Sequence, residues 1–320
     1  MKVTRGLTAL AAEQPNGRGA VVSIGVFDGV HQGHRAILAA NIARAHSIDA
    51  TPTVVTFSGH PKKLLLGRGP LTLTSLDHRL ELFAGAGIEH TLVLDFDEDL
   101  RSKSAANFVQ RDLVGGLQAR AFVLGFDSKF GRDREGTPER MRELGLDVEV
   151  VSAVGQGGRA ISSTAIREAV SLGDLDAAAR MLGRPVTVHG KVVHGNGRGA
   201  GIGFPTANLD LDHELVPPNG VYVTHVKLLG SHMQSDPRSV LHSVTNIGHR
   251  PTVAGDPKAG STPVVEVHVL DFQGDIYGER AALEFVQYLR PEQRFESIDA
   301  LKQAIRKDVE SARKRLAATD

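Results

Sequence analysis

The chain has 320 residues, 41% of them apolar, which is enough for two separately cored domains. Its 37 basic and 37 acidic side chains cancel, no Lys/Arg block stands out and aromatics are only 5%, so neither nucleic acid nor an anionic membrane is implied as a partner, while small anionic ligands stay open. With no cysteine the chain excludes disulfides, thiolate zinc sites and cysteine nucleophiles, and any metal chemistry should be of the hard, oxygen-ligand kind.

The first residues, 1–16, carry no basic-then-apolar leader pattern, and no apolar run approaches a membrane span, so the cytoplasm is the expected location. Short β-branched runs follow at 21–27, 53–57, 91–96, 122–124 and 147–151, separated by longer segments with helical spacing of apolar residues. This alternation predicts a parallel, doubly covered α/β sheet, whose ligands bind at the carboxyl ends of its strands.

At the end of the first of these strands stands Phe27-Asp28-Gly29-Val30-His31-Gln32-Gly33-His34, leading into a helical run. Glycines let the backbone turn close to a ligand, and a helix start offers free N–H groups to phosphate. Taken alone, His31 and His34 fit either a helix cap or a pair of donors facing a phosphate chain. A second string, Ile161-Ser162-Ser163-Thr164-Ala165-Ile166-Arg167, places hydroxyls at another helix start with an arginine one turn in. The P-loop, the spaced G-x-G-x-x-G and the H-E-x-x-H helix are all missing.

The H-x-G-H and S-S-T-x-x-R strings resemble the two phosphate-binding signatures of the nucleotidylyltransferase superfamily. The resemblance implies ATP or phosphate contacts from Gly25, Phe27, Asp28, Gly29, His31, Gly33, His34, Ser162, Ser163, Thr164 and Arg167, with His31, His34 and Arg167 as catalytic groups.

After Arg184-Pro185 the pattern changes to strands divided by Gly, Pro and Asn, at 186–193, 220–228, 239–244, 263–270 and 281–287, with a helix over 297–316. A small antiparallel β-barrel with a C-terminal helix is expected here, giving domains 1–184 and 185–320. The glycine-rich stretch 195–203 is either a flexible hairpin tip or backbone wrapped around a ligand. It runs into Gly203-Phe204-Pro205-Thr206-Ala207-Asn208, which resembles the fingerprint of the riboflavin kinase family. There Thr206 and Asn208 match the residues that help hold Mg²⁺ and the ATP phosphates, and Glu266 matches the catalytic glutamate. Gly197, Arg198, Gly203, Phe204, Pro205, Asn246 and Arg250 belong to the implied ATP and flavin contacts.

Motifs and domain order together resemble the bacterial bifunctional riboflavin kinase/FAD synthetase (FMN adenylyltransferase) family. The implied architecture is a Rossmann-like parallel-sheet nucleotidylyltransferase domain followed by a barrel riboflavin kinase domain. The implied chemistry is ATP-dependent phosphorylation of riboflavin to FMN in the barrel, then adenylylation of FMN to FAD with release of pyrophosphate in the sheet domain. Each module needs ATP as co-substrate and Mg²⁺ as cofactor. His60 and Asp127 are the implied flavin contacts of the adenylyltransferase. An oligomer is left open. The chain departs from the family pattern at Ser58-Gly59, where Asp-Pro is common, and at Ser128, where an aromatic is usual. Two alternatives are a nucleotidylyltransferase for another phosphorylated acceptor and a non-catalytic flavin- or nucleotide-binding protein.

Overall fold

The computed structural model describes residues 1–12, 17–59, 67, 69–195, 198–212, 215–229, 240–249 and 263–317. The chain forms two compact units, Met1–Ser163 and Thr164–Asp320. Among the described residues no helix is long and apolar enough to cross a membrane.

In the first unit strands β1 (Lys2–Arg5), β2 (Ala20–Ile24), β3 (Thr51–Phe57), β4 (His90–Leu94), β5 (Ala119–Gly125) and β6 (Val148–Val151) form a parallel sheet in the order β1-β4-β3-β2-β5-β6. Helices α1 (Leu7–Ala12), α2 (Gln32–Ser47) and α3 (Leu76–Ala86) belong to this unit, as does a π-helical stretch, Phe108–Gly116. Every residue of β2 and β3 is buried. Val22 and Ile24 pack into one core with Phe108, Leu113 and Phe122, while Val21 joins Ala45 of α2 and Ala121 in another. Coverage on both faces is why the interior strands read as unbroken apolar runs rather than as alternation. The apolar run continues to Phe27, but β2 ends at Ile24, and Phe27 adopts φ 52°, which extended backbone cannot accommodate. Strand β1 was not expected from the sequence: Lys2–Arg5 is four residues long and has charged ends.

One polar residue inside this apolar sandwich fixes α2 to the sheet. Asn41 is fully buried, and its Nδ2 donates to the Val21 carbonyl (3.0 Å), to Ser23 Oγ (2.9 Å) and to the Thr53 carbonyl (3.3 Å). Ser23 Oγ donates onward to the Val123 carbonyl at 2.7 Å, so Asn41 links the helix to β2 and β3 and, through Ser23, the network reaches β5.

After a two-residue hairpin, β7 (Gly155–Gln156) with β8 (Arg159–Ala160), the chain enters helices α4 (Ser163–Ser171) and α5 (Leu175–Leu182). Gly183 ends α5 in the left-handed conformation, φ 72°, as a C-terminal glycine does. Strands β9 (Thr187–Val193), β10 (Ala207–Leu211), β11 (Gly220–Leu229), β12 (Val240–His249), β13 (Pro263–Val269) and β14 (Arg280–Arg290) then close an antiparallel barrel in the order β10-β13-β12-β11-β14-β9. The expected barrel is there with one further strand, β10, whose sequence Ala-Asn-Leu-Asp-Leu carries little β propensity. Buried Tyr222, Thr224, Val226 and Leu228 alternate along β11, and Thr224 Oγ1 meets Ser243 Oγ at 2.7 Å and Thr245 Oγ1 at 2.6 Å. The intervening Val221 and Val223 pack with Val244, Leu270 and the residues Ala312 and Leu316 of helix α6 (Ile298–Leu316). Ser297 caps α6, and Arg290 grips its buried Asp308 through Nε (2.9 Å) and Nη2 (2.7 Å).

Replacing Asn41 with leucine removes the amide and its hydrogen bonds to Val21, Ser23 and Thr53. The Asn41→Leu chain should lose about 1–3 kcal/mol of stability, seen as a lower melting temperature of the full-length protein; an unchanged melt would show that the bridge contributes nothing.

Candidate active sites

The chain leaves β2 in opposite directions across the sheet: β3, β4 and β1 lie to one side, β5 and β6 to the other. The crevice at the carboxyl ends of β2 and β5 is therefore the switch point at which open parallel sheets bind ligands. Segments 25–34 and 125–131 both start there.

The turn after β2 is held in a conformation its residues do not favour. Phe27 and Val30 have φ of 52° and 39°, and a left-handed β-branched residue costs on the order of 1–3 kcal/mol. Asp28, between them, supplies the restraint. Its Oδ1 accepts from Leu73 N (2.9 Å), Thr74 N (3.1 Å) and Thr74 Oγ1 (3.2 Å), and Thr74 Oγ1 accepts in turn from Gly29 N at 2.9 Å. Asp28, expected among the phosphate contacts, is buried, and its carboxylate accepts from the 73–74 backbone. Its carbonyl accepts from Ser163 Oγ of the second motif at 2.9 Å.

His31 caps α2, its Nδ1 accepting from the His34 N–H at 3.3 Å. With that lone pair in use, the neutral ring carries its hydrogen on Nε2 and is a donor there. His34 stacks on His31 with centroids 3.6 Å apart and planes at 17°, and the Phe27 ring meets it edge-on at 5.1 Å. Gly33 permits this approach: a Cβ there would lie 3.2 Å from the His31 ring. His34 Nδ1 is buried without a hydrogen-bond partner among the described residues. Behind the pair, buried Arg79 of α3 donates to the Val26 carbonyl (2.6 Å), Thr56 Oγ1 (3.1 Å) and the Phe57 carbonyl (3.0 Å), clamping the ends of β2 and β3. Together with the first amides of α2, this geometry suits a phosphate chain.

A cleft of about 690 Å³ opens beside the turn, with Phe57, Phe96, Phe108 and Phe130 among its walls and Gly25 on its lining. Arg101, Lys129, Arg132 and Arg134 line it as well. Apolar aromatic walls with cations suit a flat ring system that carries a phosphate. Asp127 lies exposed on the turn after β5 and is not part of that lining. His60 lies outside the described residues. Ser58 donates to Asp95 Oδ1 at 2.5 Å, so a carboxylate from the end of neighbouring β4 stands beside the position where the family commonly has its own. Ser162 directly precedes α4, Thr164 follows Ser163 in its first turn and Arg167 lies one turn in.

In the barrel, strand register does the positioning. Glu266 of β13 pairs with Asn208 of β10 on one side and Asn246 of β12 on the other, giving a polar row across three strands. Thr206 immediately precedes β10, and the chain folds tightly onto it: Phe204 N donates to the Gly199 carbonyl at 2.9 Å. A Cβ at Gly199 would sit 2.3 Å from the Phe204 carbonyl oxygen and 3.0 Å from Thr206 Oγ1, and one at Gly195 would meet the Asn208 side chain at 3.1 Å. These glycines wrap the Thr206 and Asn208 side chains rather than forming an idle hairpin tip. Gly203 turns with φ 88° ahead of Phe204 and Pro205. Gly197, the Arg198 side chain and Arg250 lie outside the described residues. Thr206 and Asn208 offer neutral oxygen donors, a set that fits Mg²⁺ together with phosphate oxygens and does not fit a thiophilic metal.

Sequence reasoning singled out the glycine run holding Gly195 and Gly199 but missed Thr74 and Arg79, which act on residues tens of positions away and leave no local signal.

Two separate candidate sites, one at a parallel-sheet switch point and one on a closed barrel, fit a bifunctional nucleotide-dependent transferase. The FAD synthetase family model matches residues 13–165 and the riboflavin kinase family model residues 182–316. The chain is 42% identical over 317 residues to the bifunctional riboflavin kinase/FMN adenylyltransferase of Pseudomonas fluorescens, covering 98% of this chain and 97% of the relative. It is 37% identical over 318 residues to the protein of the same name from Escherichia coli K12, with 98% and 97% covered. A solved structure from Streptococcus pneumoniae, named a macrolide-efflux protein, is similar at TM-score 0.83 and 30% identity, covering 98% of this chain and 99% of that one. The chain belongs to the bifunctional riboflavin kinase/FMN adenylyltransferase family.

Burial first, then the neighbouring charges of His31 and Arg79, push the His34 pKa well below the ordinary 6.5. The unfolded chain therefore takes up a proton on His34 where the folded chain does not, and stability falls as pH drops from about 6.5 toward the lower folded value. Melting temperatures measured between about pH 7 and about pH 5 should fall less steeply for His34→Gln than for the wild type. Equal slopes would contradict a buried neutral His34.

Proposed function

We propose how the two reactions of this family, phosphorylation of riboflavin to FMN and adenylylation of FMN to FAD, divide over the chain. Residues 1–184 carry FMN adenylyltransferase activity and residues 185–320 carry riboflavin kinase activity. The observation that supports this most is that the FAD synthetase family model matches residues 13–165 and the riboflavin kinase family model residues 182–316. ATP is the co-substrate of both steps, FMN is the product of one and the acceptor of the other, and FAD and pyrophosphate leave the second.

In the barrel, Glu266 accepts the proton of the riboflavin 5′-hydroxyl as its oxygen attacks the γ-phosphorus and ADP departs. Thr206 and Asn208 would hold Mg²⁺, which neutralises charge on the transferring phosphoryl group when bound. Asn246 and Asn208, flanking Glu266 in register, orient the carboxylate and the groups around it. The loop 203–205 and the positions Gly197, Arg198 and Arg250 complete the ATP and flavin contacts.

In the sheet domain, the FMN phosphate attacks the α-phosphorus of ATP. The Nε2–H of His31, the neutral ring of His34 and the α2 amides stabilise charge developing on the α-phosphate and the departing pyrophosphate, with Arg167 and the hydroxyls of Ser162, Ser163 and Thr164 holding the triphosphate. The aromatic cleft takes the isoalloxazine ring, and Asp127 and His60 are the further flavin contacts that the family resemblance implies. A neutral His34 brings a hydrogen-bonding group to the phosphates without the desolvation cost of a buried charge.

Purified full-length protein incubated with riboflavin, ATP and Mg²⁺ should yield FMN and then FAD by chromatography. Glu266→Gln should abolish FMN formation yet leave conversion of supplied FMN to FAD intact. His31→Ala should do the reverse, slowing FAD formation roughly a hundredfold or more. Loss of both activities in either single variant would overturn the division of labour.

A further inference from the structure

Phosphoryl transfer in the barrel places two demands on residues of different kinds: Glu266 sits on a strand, whereas Thr206 sits on the loop entering one. The β10–β13 ladder runs through Leu209↔Val265, Asn208↔Glu266 and Ala207↔Val267 and then stops. It cannot continue regularly, because Pro205 has no N–H to give. A side chain takes over at that point. His268, two residues beyond Glu266 on β13 and so on the same face, brings its Nδ1 to 2.7 Å from the Pro205 carbonyl oxygen. A carbonyl only accepts, so Nδ1 carries the hydrogen. The Phe204 ring meets the imidazole edge-on, centroids 5.7 Å apart at 79°, which fixes the ring plane that this bond requires. On the other side of the motif, Tyr277 is stacked on His194 at 3.6 Å and holds its hydroxyl 3.5 Å from the Thr206 carbonyl oxygen, too long for a firm second tether.

We infer that His268 is a positioning residue for riboflavin phosphorylation: it fastens the Phe204-Pro205-Thr206 loop to the strand that carries Glu266, so that the Thr206 hydroxyl keeps its place relative to the base. This rests on the kinase reading of the barrel. His268 itself touches neither reacting atom.

The test compares His268→Leu, which keeps an apolar body against Phe204 and removes the donor, with His268→Asn, whose Nδ2 stands where the imidazole Nδ1 does. In the full-length protein, His268→Leu should lower kcat for FMN formation by about ten- to a hundredfold, the range that a misplacement of about 1 Å costs, with KM for riboflavin near the wild-type value. His268→Asn should restore most of that kcat, and both variants should convert supplied FMN to FAD at the wild-type rate. A wild-type kcat in His268→Leu would overturn the inference, as would equal losses in both variants accompanied by equal drops in melting temperature, the mark of a merely structural histidine. Absence of FMN formation by the wild-type protein would overturn the kinase reading itself, and this inference with it.

Discussion

The nucleotide site of the first unit depends on a buried carboxylate. Phe27 and Val30 are asked to adopt left-handed backbone that neither favours, and the hydrogen bonds of Asp28 with Leu73 and Thr74 hold the turn in that form. The proposed phosphate contacts of this unit are arranged around this turn. It aims the start of α2 at the crevice, stacks His31 on His34, and presents the Asp28 carbonyl to Ser163 of the second motif. Arg79 fastens the strand ends below, so the histidine pair stands on rigid elements rather than on a mobile loop.

The barrel meets the same need by different means. Antiparallel register puts Asn208, Glu266 and Asn246 side by side without any strained backbone, and glycines 195 and 199 let the preceding chain close over Thr206 and Asn208. Where the ladder ends at Pro205, a histidine side chain continues it. One module stores strain and restrains it with a buried anion; the other uses strand pairing and missing side chains. Both hold hydrogen-bonding groups in place before a phosphate arrives, which is how electrostatic stabilisation of a phosphoryl or adenylyl transition state is obtained at little reorganisation cost.

Much of this was legible in the sequence because the governing signals are local. Buried parallel strands read as apolar runs, the H-Q-G-H string sits where a strand becomes a helix, and P-T-A-N followed by Glu266 marks the proposed barrel site. Where reasoning fell short, the missing information was long-range. The inward turn of Asp28 depends on partners 45 and 46 residues away. Strand β10 forms from a segment of Asn and Asp because β9 and β13 pair with it on either side, and β1 forms from four residues because β4 offers it an edge. Ser58 illustrates the converse: the local string lacks a carboxylate, and Asp95 at the adjacent strand end stands within hydrogen-bond reach of it.

The central claim is that the adenylyltransferase site is a geometry imposed by Asp28 within a unit whose chemistry is separate from that of the barrel. Assaying the full-length Asp28→Ala protein for both reactions tests it most directly. Removal of the carboxylate leaves the Leu73 and Thr74 amides unserved and frees the turn, so FAD formation from supplied FMN should fall at least about tenfold while FMN formation from riboflavin persists. FAD formation at the wild-type rate would contradict the account, and so would the loss of both reactions together.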